Sequence, residues 1–255
     1  MSEIERTMPF TIEEVALHWD TTARSGYEEF NAKTVSYGRR FTDAIEMIED
    51  SPAVTLPREG QLIDVGCGTG NGLIVFYETF GISGVGVDVS RGMLDVARAK
   101  IAARNLPVEI HQMDGEHLPF DDNSFDAGVS FEVLEHTPNP SRFLSELARV
   151  VKPGSTVIVT TPNTLWEPIH WLAAKTGLHH SEGPHRDVSR HEILEGLAAS
   201  GLRLVAERTA VLVPAGPKVL VHLGEKLEDW LPDIILRVIA LRRMFLCVCD
   251  KPPFD

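Results

Sequence analysis

The stretch at residues 61–72, Gln-Leu-Ile-Asp-Val-Gly-Cys-Gly-Thr-Gly-Asn-Gly, constrains the fold more than any other part of the chain. A short apolar run ends at Asp64-Val65, and Gly66, Gly68, Gly70 and Gly72 follow at alternate positions. That pattern reads as a buried strand breaking into a loop almost free of side chains, where a ligand can approach the backbone. A helix is expected through Leu73 to Phe80, so the loop sits where unpaired N–H groups point outward from a helix start.

From residue 60 the chain alternates strand and helix, the signature of a parallel sheet covered on both faces. Strands are expected at Gln61 to Val65, Gly84 to Val89, Val108 to Gln112, Phe125 to Ser130 and Thr156 to Thr160. Helices are expected over Gly92 to Ala103, with Ser90 as cap, around Val133 to His136, and over Pro140 to Val150. The alternation stops at Thr161-Pro162-Asn163. A helix from Ser189 to Ser200, a strand at Leu202 to Thr209 and a closing strand at Met244 to Asp250 complete the pattern.

Three segments stand apart from this alternation. Residues 9–50 carry Val15, Leu17, Trp19, Phe30, Phe41, Ile45 and Ile48 among charges, and read as an amphipathic helical cap. Tyr27 and Tyr37 in it can reach a ligand or simply pack the cap. Residues 163–190 and 211–243 read as insertions, so the 255 residues form one domain with a helical cap, a core at 60–162 and two additions.

Composition narrows the functional class. With 37 acidic against 24 basic residues, the formal charge of −13 argues against a broad nucleic-acid footprint. Cys67, Cys247 and Cys249 form no disulfide framework and no zinc spacing, which points to a reducing cytoplasm. Residues 1–7 are polar with no signal-peptide core, and no stretch reaches the ~18 apolar residues of a spanning helix. A soluble, cytoplasmic protein is expected.

Three nucleotide-binding readings compete for the glycine loop. A Walker loop needs Gly-Lys-Ser/Thr after four residues, and no such run occurs. The dinucleotide fingerprint, Gly-x-Gly-x-x-Gly/Ala, fails in every register, because Asn71, Leu73 or Val75 occupies the third position. What remains is Asp-x-Gly-x-Gly-x-Gly, at Asp64, Gly66, Gly68 and Gly70. This pattern resembles the first motif of the class I S-adenosylmethionine-dependent methyltransferases, and the resemblance runs in order from Asp64 to Asn163.

The resemblance assigns roles to particular residues. Asp64, Gly66, Cys67, Gly68 and Gly70 would seat the methionine half of S-adenosylmethionine. Asp88, in Gly86-Val87-Asp88-Val89-Ser90, would take the ribose hydroxyls, with Val89 beside it and Met93 against adenine. Asp114-Gly115 would read the adenine edge, next to the wall formed by Glu116, His117 and Leu118-Pro119-Phe120. The segment Phe131-Glu132-Val133-Leu134-Glu135-His136 is similar to its counterpart in the quinone-biosynthesis O-methyltransferases, where Phe131 would border the methionine moiety. The implied fold is a Rossmann-like sheet of about seven mostly parallel strands, helices on both faces, the last strand antiparallel.

The acceptor side is read from residue chemistry. Methyl transfer from a sulfonium needs alignment and water exclusion, and a base only where the acceptor carries a proton. His136 is the candidate base, with a loop-orienting histidine as the alternative. Glu132, Glu135 and His136 at i, i+3 and i+4 would share one face of a helical turn and could hold a divalent cation. Three ligands with no further acid fall short of a site, so no metal is assigned. His170, His179, His180, His185 and His191 match no zinc spacing. Trp166, His180 and His185 are taken as acceptor-pocket residues on the loop after the fifth strand.

The segment 217–243 carries many apolar residues with Arg237, Arg242 and Arg243. It can act as a lid, a peripheral membrane contact, a homodimer contact or plain packing against the sheet. The reading is therefore methyl transfer from S-adenosylmethionine to a small-molecule acceptor, at oxygen of an apolar or quinone-like compound. Rivals are N-, C- or glycan-directed transfer, a non-catalytic S-adenosylmethionine-binding module, and a dinucleotide oxidoreductase. The absence of Asn-Pro-Pro-Tyr after the fifth strand weighs against a DNA-amine acceptor, and no nucleic-acid partner is expected.

Overall fold

The structure, a computed structural model, describes residues 10–31, 34–163, 183–214 and 217–250. The cap comprises α1 (Ile12–Ala23), α2 (Tyr27–Asn31) and α3 (Val35–Glu49). The alternating region runs β1 (Gln61–Val65), α4 (Asn71–Phe80), β2 (Ser83–Asp88), α5 (Arg91–Arg104), β3 (Val108–Gln112), β4 (Phe125–Phe131), α6 (Pro140–Val150) and β5 (Val151–Pro162). It continues through α7 (Arg190–Ala199), β6 (Leu202–Ala210), α8 (Lys218–Trp230), α9 (Asp233–Ile239) and β7 (Arg242–Cys249).

The strands form a seven-stranded sheet in the order β3-β2-β1-β4-β5-β7-β6. β7 runs antiparallel to both β5 and β6, and the other paired strands are parallel. The chain order reverses between β1 and β4, and ligands in such sheets bind in the crevice beyond the strands' carboxyl ends at this switch point. Asp64 pairs with Gly86 and Val65 with Val87, which brings the ends of β1 and β2 level.

Local chemistry sets the helix starts. The Ser90 hydroxyl accepts from Met93 N at 3.1 Å and caps α5. Asn139 caps α6, with Pro140 at its first position. Gly66 has φ +79°, and a Cβ there would lie 2.3 Å from Val133 Cγ2, so both conformation and space demand glycine.

The cap shares its core with the sheet: Phe41, Ala44, Ile45 and Ile48 of α3 cluster with Leu62, Ala127, Ile158 and Leu246. α3 is also tied to α8, because Arg39 grips the Glu228 carboxylate with two bonds of 3.1 and 2.7 Å. No described helix is long and apolar enough to cross a membrane.

Three expectations are corrected. The segment around Val133 to His136 is one turn of 3-10 helix, Leu134–His136, preceded by Glu132 with φ +60°. Glu132, Glu135 and His136 therefore do not share a helical face. β5 is longer than Thr156 to Thr160, because its partners β4 and β7 extend its ladder from Val151 to Pro162. The apolar segment 211–243 resolves into α8 and α9, and Arg242 and Arg243 belong to β7 rather than to the insertion.

Candidate active site

A cavity of ≈ 190 Å³ opens over the carboxyl ends of β1, β2 and β4. Asp64, Gly66, Cys67, Gly68, Asp88, Val89, Met93, Asp114, Gly115, Phe131 and His136 all line it. These residues come from six separate places in the sequence, and the topology alone gathers them. Gly70 stands behind the wall: it is the left-handed N-cap of α4, packed near Ala97.

The floor is acidic. Asp88 accepts from Gly68 N at 2.9 Å through Oδ2 and from Ser90 N at 2.8 Å through Oδ1. Burial raises its carboxyl above the ordinary range, and these backbone N–H groups oppose the rise. Asp64 is 1% exposed, and its Oδ1 has no hydrogen-bond partner. Burial, helped by the nearby Asp88 charge, pushes it up to about 8. Asp114 accepts from Glu116 N at 2.9 Å and from His117 Nδ1 at 3.2 Å. A Cβ on Gly115 would meet Phe143 Cε2 at 2.5 Å, so glycine is what lets the wall close there.

The roof comes from the cap. Ile12, Val15, Trp19, Tyr27, Tyr37, Arg40 and Phe41 face the cavity from α1, α2 and α3. Phe41 stands edge-on to Phe131 with centroids 5.1 Å apart, joining cap to sheet beside the site. Two acids fasten the roof. Asp20 accepts from Ser90 Oγ at 2.7 Å and Gly92 N at 2.8 Å. Glu28 accepts from Lys100 at 3.0 Å and from the Thr69 hydroxyl in the glycine loop. Asn71 also donates to Tyr37 Oη at 2.8 Å. Sequence reasoning flagged Tyr27 and Tyr37 but missed Arg40, and gave Trp19 only a packing role. Their amphipathic spacing carries no sign of which face covers a ligand.

His136 is buried at the cavity edge. Its Nδ1 donates to the Pro184 carbonyl at 2.9 Å, and its Nε2 lies 4.0 Å from Glu135 Oε1. Trp19 lies edge-on to the imidazole at 5.3 Å. His185 is brought beside His136, with centroids 6.1 Å apart, but is not part of the cavity wall. Trp166 and His180 lie outside the described residues, as do His170 and His179.

The candidate cation ligands are engaged elsewhere. Glu132 accepts from Arg242 Nε at 2.9 Å and from Thr160 Oγ1 at 3.1 Å. Glu135 accepts from Thr161 Oγ1 at 3.2 Å. Among the described residues, no three His, Cys, Asp or Glu side chains converge as a metal site.

The cavity can therefore accept a ligand with hydroxyls and a cationic group over its floor, and an apolar or aromatic molecule under its roof. Comparison with known proteins agrees. Residues 63–159 match the family model described as a methyltransferase domain. The chain is similar to the ubiquinone biosynthesis O-methyltransferase of Rhizobium rhizogenes, with 30% identity over 223 residues, 82% of this chain and 85% of the relative. It is 38% identical over 104 residues to phosphatidylethanolamine N-methyltransferase of Cereibacter sphaeroides, covering 40% of this chain and 50% of that relative's length. The chain thus spans about half the length of the latter enzyme. In fold it resembles the [4+2]-cyclase SpnF, with a TM-score of 0.68 and 19% identity over 95% of this chain and 97% of that one. The ordered motifs, the sheet and the near full-length match to the Rhizobium enzyme lead to one conclusion: the chain belongs to the class I S-adenosylmethionine-dependent methyltransferases.

Proposed function

We propose that this enzyme moves the methyl group of S-adenosylmethionine to a hydroxyl oxygen of a small, apolar, quinone-like acceptor held under the helical cap. The carrying observation is a single cavity with an acidic floor, drawn from the family's donor motifs, and an aromatic roof formed by Trp19, Tyr27, Tyr37 and Phe41. The Rhizobium relative, matched over most of its length, is named as an O-methyltransferase and supports oxygen as the acceptor atom.

The residues present fit the donor. Asp64 Oδ1 is buried without a partner, and the methionine ammonium would supply the missing donor and charge. Asp88 and Asp114 would hold the ribose hydroxyls and the adenine edge, with Val89, Met93 and Gly115 as wall. Gly66, Cys67 and Gly68 would bring backbone against the methionine half, and Gly70 would set the turn that presents them. When bound, S-adenosylmethionine supplies an electrophilic methyl on a sulfonium. Phe131 and the cap exclude water from it. His136, with Nδ1–H fixed on Pro184, offers Nε2 to the acceptor's proton. Trp166, His180 and His185 would serve the acceptor side.

The same reading extends to the whole chain. One domain serves donor and acceptor, and the three cysteines, all buried thiols, suit a reducing cytoplasm. Nine of the eleven large apolar side chains exposed among the described residues lie on α8 and α9, with Val219 and Trp230 each 79% exposed. We read this face as a peripheral membrane or homodimer contact, and flotation on vesicles against light scattering of the free protein separates the two.

The test is incubation with methyl-labelled S-adenosylmethionine and a panel of hydroquinones, catechols, amines and glycans, followed by mass spectrometry. A labelled methyl ether is expected. Label on nitrogen, carbon or sugar would move the assignment to a rival acceptor, and tight S-adenosylhomocysteine binding without turnover would favour a silent binding module.

A further inference from the structure

Three side chains of the cavity wall hold a buried polar atom without a hydrogen-bond partner among the described residues: Asp64 Oδ1, Arg40 Nε and Asn31 Nδ2. Two of them have a counterpart. The methionine ammonium of the donor would answer Asp64, and the charge of Arg40 is met by Glu132 and Glu135. Asn31 is different. It is the last residue of α2 and only 6% exposed, and its backbone carbonyl accepts from Thr34 N at 3.0 Å. The turn after α2 thus uses its main chain and leaves its carboxamide to the cavity wall. A carboxamide carries no charge to be offset, and its terminal nitrogen holds two N–H donors. Such a group, buried and unpaired, costs stability that a ligand oxygen within reach would recover.

We propose that Asn31 selects the acceptor: its Nδ2 donates to a second oxygen of that molecule, an ether, carbonyl or hydroxyl oxygen other than the one methylated. The proposal deepens the hydroxyl-acceptor reading above and rests on it. Ile12, Val15, Trp19 and Phe41 give the roof apolar area without direction. A directed donor among them fixes which way a flat ring lies. An acceptor without the second oxygen enters the same cavity but leaves Asn31 buried and unpaired, and a site built to bond a polar group rejects the analogue lacking it on that ground. The donor's methionine carboxylate is the other source of oxygen in this cavity, and the two make opposite predictions.

The probes are the 2-, 3- and 4-methoxyphenols and the matching ethylphenols, which exchange the ether oxygen for a methylene of similar size. Each is titrated by calorimetry into protein saturated with S-adenosylhomocysteine. At one ring position at least, wild type should bind the methoxyphenol about tenfold more tightly than its ethyl partner. Asn31→Leu, which has no donor, and Asn31→Asp, whose carboxylate only accepts, should both lose that preference and keep wild-type affinity for S-adenosylhomocysteine. Ligand-free Asn31→Leu should melt no lower than wild type, because it removes an unpaired buried amide. Equal affinity for the ether and ethyl partners at every position in wild type would overturn the proposal. A preference that survives both substitutions would overturn it too, and with a lowered melting temperature would mark a structural asparagine. So would variants that lose S-adenosylhomocysteine affinity, because the amide then belongs to the donor carboxylate. Wild type that binds S-adenosylhomocysteine but none of these phenols would overturn the acceptor reading beneath, and this proposal with it; failure to bind S-adenosylhomocysteine would overturn the donor reading.

Discussion

Arg242 Nε donates to Glu132 Oε1 at 2.9 Å, joining the first residue of β7 to the residue that follows β4. Arg242 is only 2% exposed, and its Nη1 also donates to Ser36 O at 2.8 Å. Burial alone would raise the Glu132 carboxyl, but the Arg242 and Arg40 charges hold it below its ordinary range. Arg242 thus ties β7 to the end of β4 through the ion pair and the cap to both through Ser36, where Glu132 adopts a left-handed backbone.

Removing one partner should be costly. Arg242→Met removes the larger of the two charges that hold the buried Glu132 carboxylate, and about 3–5 kcal/mol of stability should be lost. The Glu132→Gln/Arg242→Met double variant should lose clearly less than the sum of the single changes, because it removes both charges. Urea denaturation of the four proteins in the cycle measures the coupling, and additive losses would mean the pair is not linked in this way.

Asp64 predicts a pH dependence of the donor-free protein. Its carboxyl titrates near 3.8 when unfolded and is pushed up to about 8 in the fold, so between these values the folded state binds more protons. Its contribution is fully present below pH 3.8 and is lost as pH rises through 8. Melting temperatures of donor-free wild type should therefore fall across neutral pH relative to Asp64→Asn, which lacks the titration. Donor binding should release a proton in that window, because an ammonium beside Asp64 favours the ionised form. Calorimetry of S-adenosylhomocysteine in buffers of different ionisation enthalpy detects that release; buffer-independent heats would place the ammonium elsewhere.

Asp88 carries the ribose assignment. Asp88→Ala should weaken S-adenosylhomocysteine binding by about 1–3 kcal/mol through lost hydrogen bonds. The variant also frees Gly68 N and Ser90 N, which Asp88 now holds, so Asp88→Asn is the gentler comparison. Affinity equal to wild type in both variants would remove the assignment.

Much of this architecture could be read from local pattern. The bounds expected for β1, β3 and α6 coincide with those observed, because each is marked by its own glycine, proline or alternation signal. That the motif acids and glycines share one cavity was equally legible, since they sit at strand ends that the period of the chain locates. What local pattern did not reveal depends on distant partners. The spacing put Glu132 on one face of a helical turn, whereas Arg242, 110 residues away, holds its carboxylate. The length of β5 depends on β7, which closes the sheet from the far end of the chain. Arg40 carries no local signal of its place in the cavity wall, because its burial comes from a cap whose docking no short window encodes.

His136 bears the last prediction, because its geometry separates a base from a loop brace. The bond from Nδ1 to Pro184 O orients the ring, Trp19 flanks it, and Nε2 lies 4.0 Å from Glu135 Oε1 at the cavity edge. If Nε2 takes the acceptor's proton, His136→Ala should cut kcat by about 10²–10⁴-fold with S-adenosylhomocysteine affinity unchanged. The pH dependence of kcat/KM should change shape with it. A more acidic acceptor hydroxyl should suffer less from the substitution, since it needs less help to ionise. A brace would behave differently: stability and KM would move together, the pH profile would keep its shape, and acceptor acidity would make no difference. Steady-state rates across pH with two hydroxyl acceptors of unequal acidity, together with the melting temperature of each variant, decide between the two roles.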